Sequence, residues 1–215
     1  MLSKSAGRPR SFDRDDALRH AAHLFWQHGY SGTSTRMLTA ALGISSSSLY
    51  AAFGTKAALF DEAVRTYALR YSAIYERAVD EPTLPGVISR LLIDSIDEFA
   101  RTDEGHPGCL TSSAVMADSS LTIDVRRYVA DLHRADGARL TSRIERAVRE
   151  GELDRSTTPT TLAEFVQTLW HGLSARSELG APRAELVRIA DSAVALIASR
   201  TRTTTPSNPE AGSNS

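Results

Sequence analysis

Two apolar segments, each about two helical turns long, end near Ala41 and Phe53 and are joined by Leu42-Gly43-Ile44. Helices this short do not stand alone in water, because nucleation fixes several residues before propagation compensates for it. They must brace on something longer, and that partner lies just upstream. From Asp13 to about His28, Leu18, Ala21, Ala22 and Phe25 recur at helical spacing and form one apolar face. Asp13 with Asp16 makes a start of the capping-box kind, with Phe12 and Ala17 placed as a hydrophobic staple. Gly29 is placed to end this helix as a left-handed cap. Thr33 or Ser34 caps the second helix, and Ser45 or Ser46 the third. Two short helices around a glycine turn, braced on an amphipathic one, make a helix-turn-helix.

The same period runs through the rest of the chain. Gly54 breaks it, and Thr55 caps a long fourth helix reaching about Val79. Glu81-Pro82-Thr83-Leu84-Pro85 is a clear break. Helices are expected at about 86–101, 109–117, 120–150, 158–178 and 183–200, with loops at 102–108 and around Gly151 and Gly180. No β-branched run alternates with polar residues, so the fold class is all-α. The expected organisation has four parts. Residues 1–10 form a disordered basic arm and 11–56 a three-helix helix-turn-helix domain. Residues 57–200 form a helical body and 201–215 a disordered tail.

Composition excludes several classes. No apolar run approaches membrane-spanning length, and the polar stretch Ser3–Ser11 is not a signal peptide. A single cysteine, Cys109, precludes an intrachain disulfide and suits a reducing cytoplasm. No nucleophile elbow, phosphate loop or metal-ligand spacing is present, so no enzyme, cofactor or resident metal is expected. The net charge of −1 hides an asymmetry: residues 1–60 carry an excess of four positive charges. That places a nucleic-acid surface near the N-terminus and keeps the acidic remainder off DNA. The third helix would expose Ser45, Ser46, Ser47, Ser48, Ala51 and Ala52. Such small side chains suit close approach to base edges in a major groove.

In register over about fifty residues the chain carries Gly7-Arg8-Pro9-Arg10, Leu24-Phe25-Trp26, Gly29-Tyr30-Ser31-Gly32-Thr33-Ser34, Leu42-Gly43-Ile44, Ser48-Leu49-Tyr50 and Phe53-Gly54-Thr55-Lys56. This text strongly resembles the TetR family of repressors, the tetracycline-repressor type. The resemblance implies DNA contacts from Tyr50 through its hydroxyl and from Lys56 to backbone phosphate. Chemistry adds Thr33 or Ser34 at a helix N-terminus, Arg36 one turn in, the serines 45–48, and Arg8 and Arg10 on the arm reaching a minor groove. Lys56 opposes the dipole of its own helix, a conflict that an external phosphate would remove. Where the family often has an acidic residue just after this lysine, Ala57 and Ala58 stand here.

For the body, the resemblance implies a homodimer made by the last two helices, which suits a palindromic operator. Candidate dimer residues are Leu162, Leu169, Leu186, Ile189, Ala193 and Ile197. A pocket for an unknown small-molecule effector should draw on Tyr71, Tyr75, Phe99, Cys109, Met116, Tyr128, Phe165 and Trp170. The implied function is a repressor released from double-stranded operator DNA by that effector. An alternative is metal or redox sensing through Cys109, with His106, His133 or His171 as metal partners.

Overall fold

The structure is a computed structural model that describes residues 13–101, 108–112 and 123–200. The basic arm with Arg8 and Arg10, the tail, His106 and Met116 lie outside the described residues. Among the described residues there are no strands. The helices are α1 (Arg14–Gly32), α2 (Thr35–Leu42), α3 (Ser46–Phe53), α4 (Lys56–Ala78), α5 (Leu84–Phe99), α6 (Ile123–Arg149), α7 (Pro159–Glu178) and α8 (Arg183–Ala198). The described residues form two compact units. One comprises residues up to Arg70 with those from Arg101 to Leu132; the other comprises Tyr71–Ala100 and residues from His133 onward.

In the first unit the caps follow the chemistry of the short side chains. The Asp13 carboxylate accepts from the N–H groups of Asp15 (2.9 Å) and Asp16 (3.1 Å). Asp16 turns to Arg19 (2.7 Å), so its side chain is engaged elsewhere than in a capping box. Ser34 caps α2 by accepting from the Met37 N–H, and Ser45 caps α3 by accepting from the Ser48 N–H. Gly43 adopts φ 63° and ψ 27°, the left-handed conformation that lets the chain turn sharply between the two short helices.

Gly29 departs from expectation. Its φ of 67° is positive, but its ψ of 174° is extended, so it kinks α1 rather than capping it, and helix resumes through Gly32. The Thr33 hydroxyl mends the kink by hydrogen-bonding the carbonyls of Gly29 (2.7 Å) and Leu24 (3.1 Å).

The core of this unit does not stop at the boundary expected near residue 56. Phe25 meets Phe60 edge-on at 4.9 Å, and Trp26 meets Tyr67 edge-on at 5.9 Å. Leu59, Ala63 and Val64 join Leu38, Leu49 and Phe53 in the same cluster, which continues to Leu110, Val125 and Val129. The first half of α4 therefore belongs to the head, because its apolar residues recur at helical spacing toward α1.

In the second unit α5 packs on both α7 and α8, which also pack on each other. Leu84, Val87, Ile88, Leu91, Leu92, Ile96 and Phe99 bury one face of α5. Pro85 lies in the first turn of α5, where its missing N–H leaves no helical bond unmade, so the helix starts at Leu84 rather than 86. Two polar ties cross this core: Trp170 Nε1 donates to Ser95 Oγ (2.7 Å), and Ser177 Oγ donates to the Phe99 carbonyl (3.1 Å).

Leu38 is fully buried where α2 meets the rest of the head. Leu38→Ala should destabilise the head by about 2–5 kcal/mol. Urea titration followed by circular dichroism checks this; an unchanged transition would contradict the packing described.

Candidate nucleic-acid interface

The interface is built on α2 and α3. Leu49 and Phe53 are buried and fix the inner side of α3. The opposite side exposes Ser46, Ser47, Tyr50 and Ala51. The four serines are not equivalent. Ser45 Oγ lies 2.8 Å from Ser47 Oγ and 2.9 Å from Ser48 Oγ while also serving as the cap. Ser48 is half-buried and Ser46 is exposed.

Tyr50 is 45% exposed, and its hydroxyl lies 3.2 Å from Thr35 Oγ1. Thr35 opens α2, so a tyrosine of the third helix is tied to the N-terminus of the second. No local pattern singles out Thr35, because its partner Tyr50 lies fifteen residues away on α3. The structure separates Thr33, Ser34 and Thr35 by role. Ser34 caps, Thr35 holds Tyr50, and the side chain of Thr33 is fully buried at the α1 kink. Thr33 is therefore corrected from a candidate DNA contact to a structural residue: it is fully buried, and its N–H is turned to the Tyr30 carbonyl at 3.3 Å. Arg36 is exposed one residue further on.

Lys56 also differs from expectation. Its Nζ donates to the carbonyls of Tyr30 and Thr33, both at 2.9 Å, and sits 4.1 Å from the centre of the Tyr30 ring. These carbonyls sit at the end of α1, where a cation opposes no positive dipole end. The conflict with the α4 dipole is thus offset inside the protein without a phosphate. An ammonium has three protons, so one remains beyond these two bonds. Elsewhere on the head, Arg14 forks onto Glu62 and lies 4.8 Å from the Phe53 ring centre, and Arg19 pairs with Asp16.

The residues expected to form a pocket separate into two groups and an outlier. In the second unit Tyr71, Phe99 and Trp170 are buried together, with ring centres 5.1–5.6 Å apart. Tyr75 is buried beside them in sequence, and its phenol is pushed up from its usual range by burial and then by the nearby Asp136. Burial likewise raises the Asp136 carboxyl, against hydrogen bonds from Ser72 (2.9 Å) and Arg139 (2.8 Å). Gln167 Nε2 donates to the His133 carbonyl at 2.9 Å. Gly137 admits this side chain: a Cβ there would stand 2.8 Å from Gln167 Oε1. His133 and His171 have ring centres 4.9 Å apart. His133 is lowered by burial. His171, part of whose surface is open but whose ring lies edge-on to Trp170, is pushed down to about 4 by desolvation and then by His133. Both shifts favour the neutral imidazole.

Cys109 and Tyr128 belong to the first unit instead. Cys109 is fully buried with its Sγ 2.8 Å from Thr111 Oγ1, and Tyr128 is half-buried beneath Arg65 at 4.0 Å. Phe165 is the outlier, at 49% exposed. It lines an open groove of about 520 Å³ with Leu153, Thr161, Leu162, Leu196 and Ile197. Among the described residues no three His, Cys, Asp or Glu side chains gather to hold a metal ion.

The expected dimer residues also divide. Leu186, Ala193 and Ile197 are buried within their own unit. Leu162, Leu169 and Ile189 are half-buried and retain open surface. The strongly exposed apolar residues of these helices are Phe165 and Leu196, with Leu179 just past α7.

A capped pair of short helices with an open polar face, packed with α1 and the first half of α4, is a helix-turn-helix of the DNA-binding kind. The family model described as bacterial regulatory proteins, tetR family, matches residues 17–63, and that described as tetracyclin repressor-like, C-terminal domain, matches residues 89–193. The chain is 30% identical over 197 residues to the HTH-type transcriptional repressor ComR of Escherichia coli (strain K12), covering 91% of this chain and 93% of that protein. It is 30% identical to the repressor BdcR of the same organism, over 83% of this chain and 85% of the other. A solved structure of a cysteine-substituted form of the TetR family regulator CifR, complexed with 26-bp double-strand operator DNA, superposes with a TM-score of 0.77 at 32% identity. It covers 87% of this chain and 98% of its own. The chain belongs to the TetR family of transcriptional regulators.

Removing the ammonium tests its internal role. Lys56→Met leaves two carbonyls at the end of α1 without their donor, which should cost about 1–3 kcal/mol. Thermal unfolding checks this, and a variant as stable as the parent would contradict the assignment.

Proposed function

We propose that this chain is a homodimeric repressor that binds a pseudo-palindromic double-stranded operator through α2 and α3 and is released by a small-molecule effector. The observation that supports DNA reading most directly is the Thr35–Tyr50 contact beside the α2 N-terminus. The cap satisfies the Met37 N–H, while earlier N–H groups of the first turn have no intrahelical acceptor and suit a phosphate. Tyr50 then presents its hydroxyl to the next phosphate along, Arg36 reaches a phosphate or base edge, and Ser46, Ser47 and Ala51 face the groove. Lys56, with one proton to spare, contributes where the backbone passes the start of α4. Arg8 and Arg10 extend the contact into the minor groove.

Dimerisation is supported by the open apolar strip of Leu162, Phe165, Leu169, Ile189 and Leu196 on α7 and α8. Two-fold symmetry of the protein then matches two half-sites. Repression is the reading favoured by relatives that are themselves repressors. For release, α4 is the natural lever, since it begins among the head residues at Lys56 and continues past Arg70 into the second unit. An effector that prefers a conformer with wrongly spaced heads lowers DNA affinity by linkage. The buried aromatic trio Tyr71, Phe99 and Trp170 with Tyr75 is the preferred effector contact. Sensing through Cys109 is the lesser reading, because a fully buried thiol offers an oxidant or metal little access.

Fluorescence anisotropy with DNA from the chain's own upstream region tests the reading. Specific binding is expected. Tyr50→Phe should weaken it about three- to tenfold without altering its salt dependence, because the lost group is neutral. Arg36→Ala should reduce the salt slope by about one. Binding indifferent to both changes would contradict the docking. In sedimentation, the pair Phe165→Asp and Leu196→Asp should convert dimer to monomer; a parent that is already monomeric at micromolar concentration would refute dimerisation.

A further inference from the structure

A cleft of about 600 Å³ opens in the second unit, within the size range of small-molecule sites. Val79 and Asp80, just past α4, line it together with Arg139, Ser142, Arg143, Arg146 and Arg149 of α6. The arginines stand at i, i+4, i+7 and i+10, which places them on one stripe of the helix. Among the described residues Asp80 is the acid in this lining.

The surrounding acids compensate these cations unevenly. Arg139 is held by Asp136 (2.8 Å) and Glu76 (3.1 Å). Asp136 is itself shared, since it also accepts from the Ser72 hydroxyl at 2.9 Å. Arg149 is 3.9 Å from Glu145, and both are well exposed, so that pair contributes little. Arg143 is 4% exposed and meets Glu152 at 3.2 Å and the Pro82 carbonyl at 3.2 Å. Glu152 is shared, since it also accepts from the Leu84 N–H. The Arg143 Nε is buried and has no acceptor. Arg146 is exposed and meets no acid within ion-pair distance among the described residues.

A buried guanidinium with an unmet donor, next to an uncompensated one, is unfavourable without an anion. Arginine rather than lysine at all four positions supplies planar forks that match oxyanions two bonds at a time. We infer that this cleft binds a small molecule bearing two or more oxyanion groups, phosphate or carboxylate, with Arg146 as the principal cation and Arg143 as the fixed one. The cleft is separate from the aromatic trio Tyr71, Phe99 and Trp170, and any regulatory role for it rests on the regulatory reading above.

Isothermal titration calorimetry of the full chain with pyrophosphate and, separately, with citrate at constant ionic strength tests this. Saturable binding of one molecule per chain is expected for at least one probe. Pyrophosphate alone would assign phosphate chemistry, and citrate alone carboxylate chemistry. Arg146→Gln should weaken binding about tenfold, and Asp80→Asn should tighten it severalfold. Arg188→Gln, on α8 outside the cleft, should leave it unchanged. No saturable binding of either probe, or binding that Arg146→Gln does not weaken, overturns the proposal. Operator affinity measured on the same samples separates the two readings, since a failed cleft with intact operator binding leaves the regulator reading standing.

Discussion

The Lys56 ammonium holds the head together at the point where three segments meet. It closes the carbonyls of Tyr30 and Thr33 at the end of α1, rests on the Tyr30 ring, and starts α4. The positive φ of Gly29 creates those carbonyls' position by kinking α1, and the Thr33 hydroxyl keeps the kink satisfied. This corner sets where α2 begins, and the Gly43 turn sets where α3 follows. The Thr35–Tyr50 contact is a product of that geometry. The proposed DNA-facing surface thus depends on a charge used internally first.

The second unit follows a different rule. Its apolar core of α5, α7 and α8 would suffice for packing, yet it buries Ser95, Ser72, Asp136, Arg143 and Ser174. Most of these find partners, and the exceptions are the Ser174 hydroxyl and the Arg143 Nε. Buried polar groups cost free energy unless paired. The head has fewer of them among the described residues, chiefly Thr33 and Thr111.

Much of the head was legible in the sequence because each of its elements has a local cause. The sequence narrows the caps to Thr33 or Ser34 and to Ser45 or Ser46, of which Ser34 and Ser45 serve; Gly43 supplies a left-handed turn, and Leu38 and Leu49 recur at helical spacing. The roles of Thr33 and Lys56 were not legible, because both depend on carbonyls released by a kink whose ψ no local pattern reveals. Periodicity located α7 and α8 but not which side of each stripe meets its own core. Leu186 and Ala193 turned inward, while Phe165, read as a pocket residue, is exposed. The split of Cys109 and Tyr128 from Trp170 was invisible for a related reason. α6 runs through both units, so neighbours along one helix serve different cores.

The central claim is that α2 and α3 together read a two-fold DNA site. Hydroxyl-radical footprinting of the full chain on DNA upstream of its own coding sequence tests it most directly. The account predicts two symmetric blocks of protection, spaced by about one helical turn of DNA or a multiple of it. Protection that is uniform along the duplex, or a single block without a symmetric mate, would contradict it.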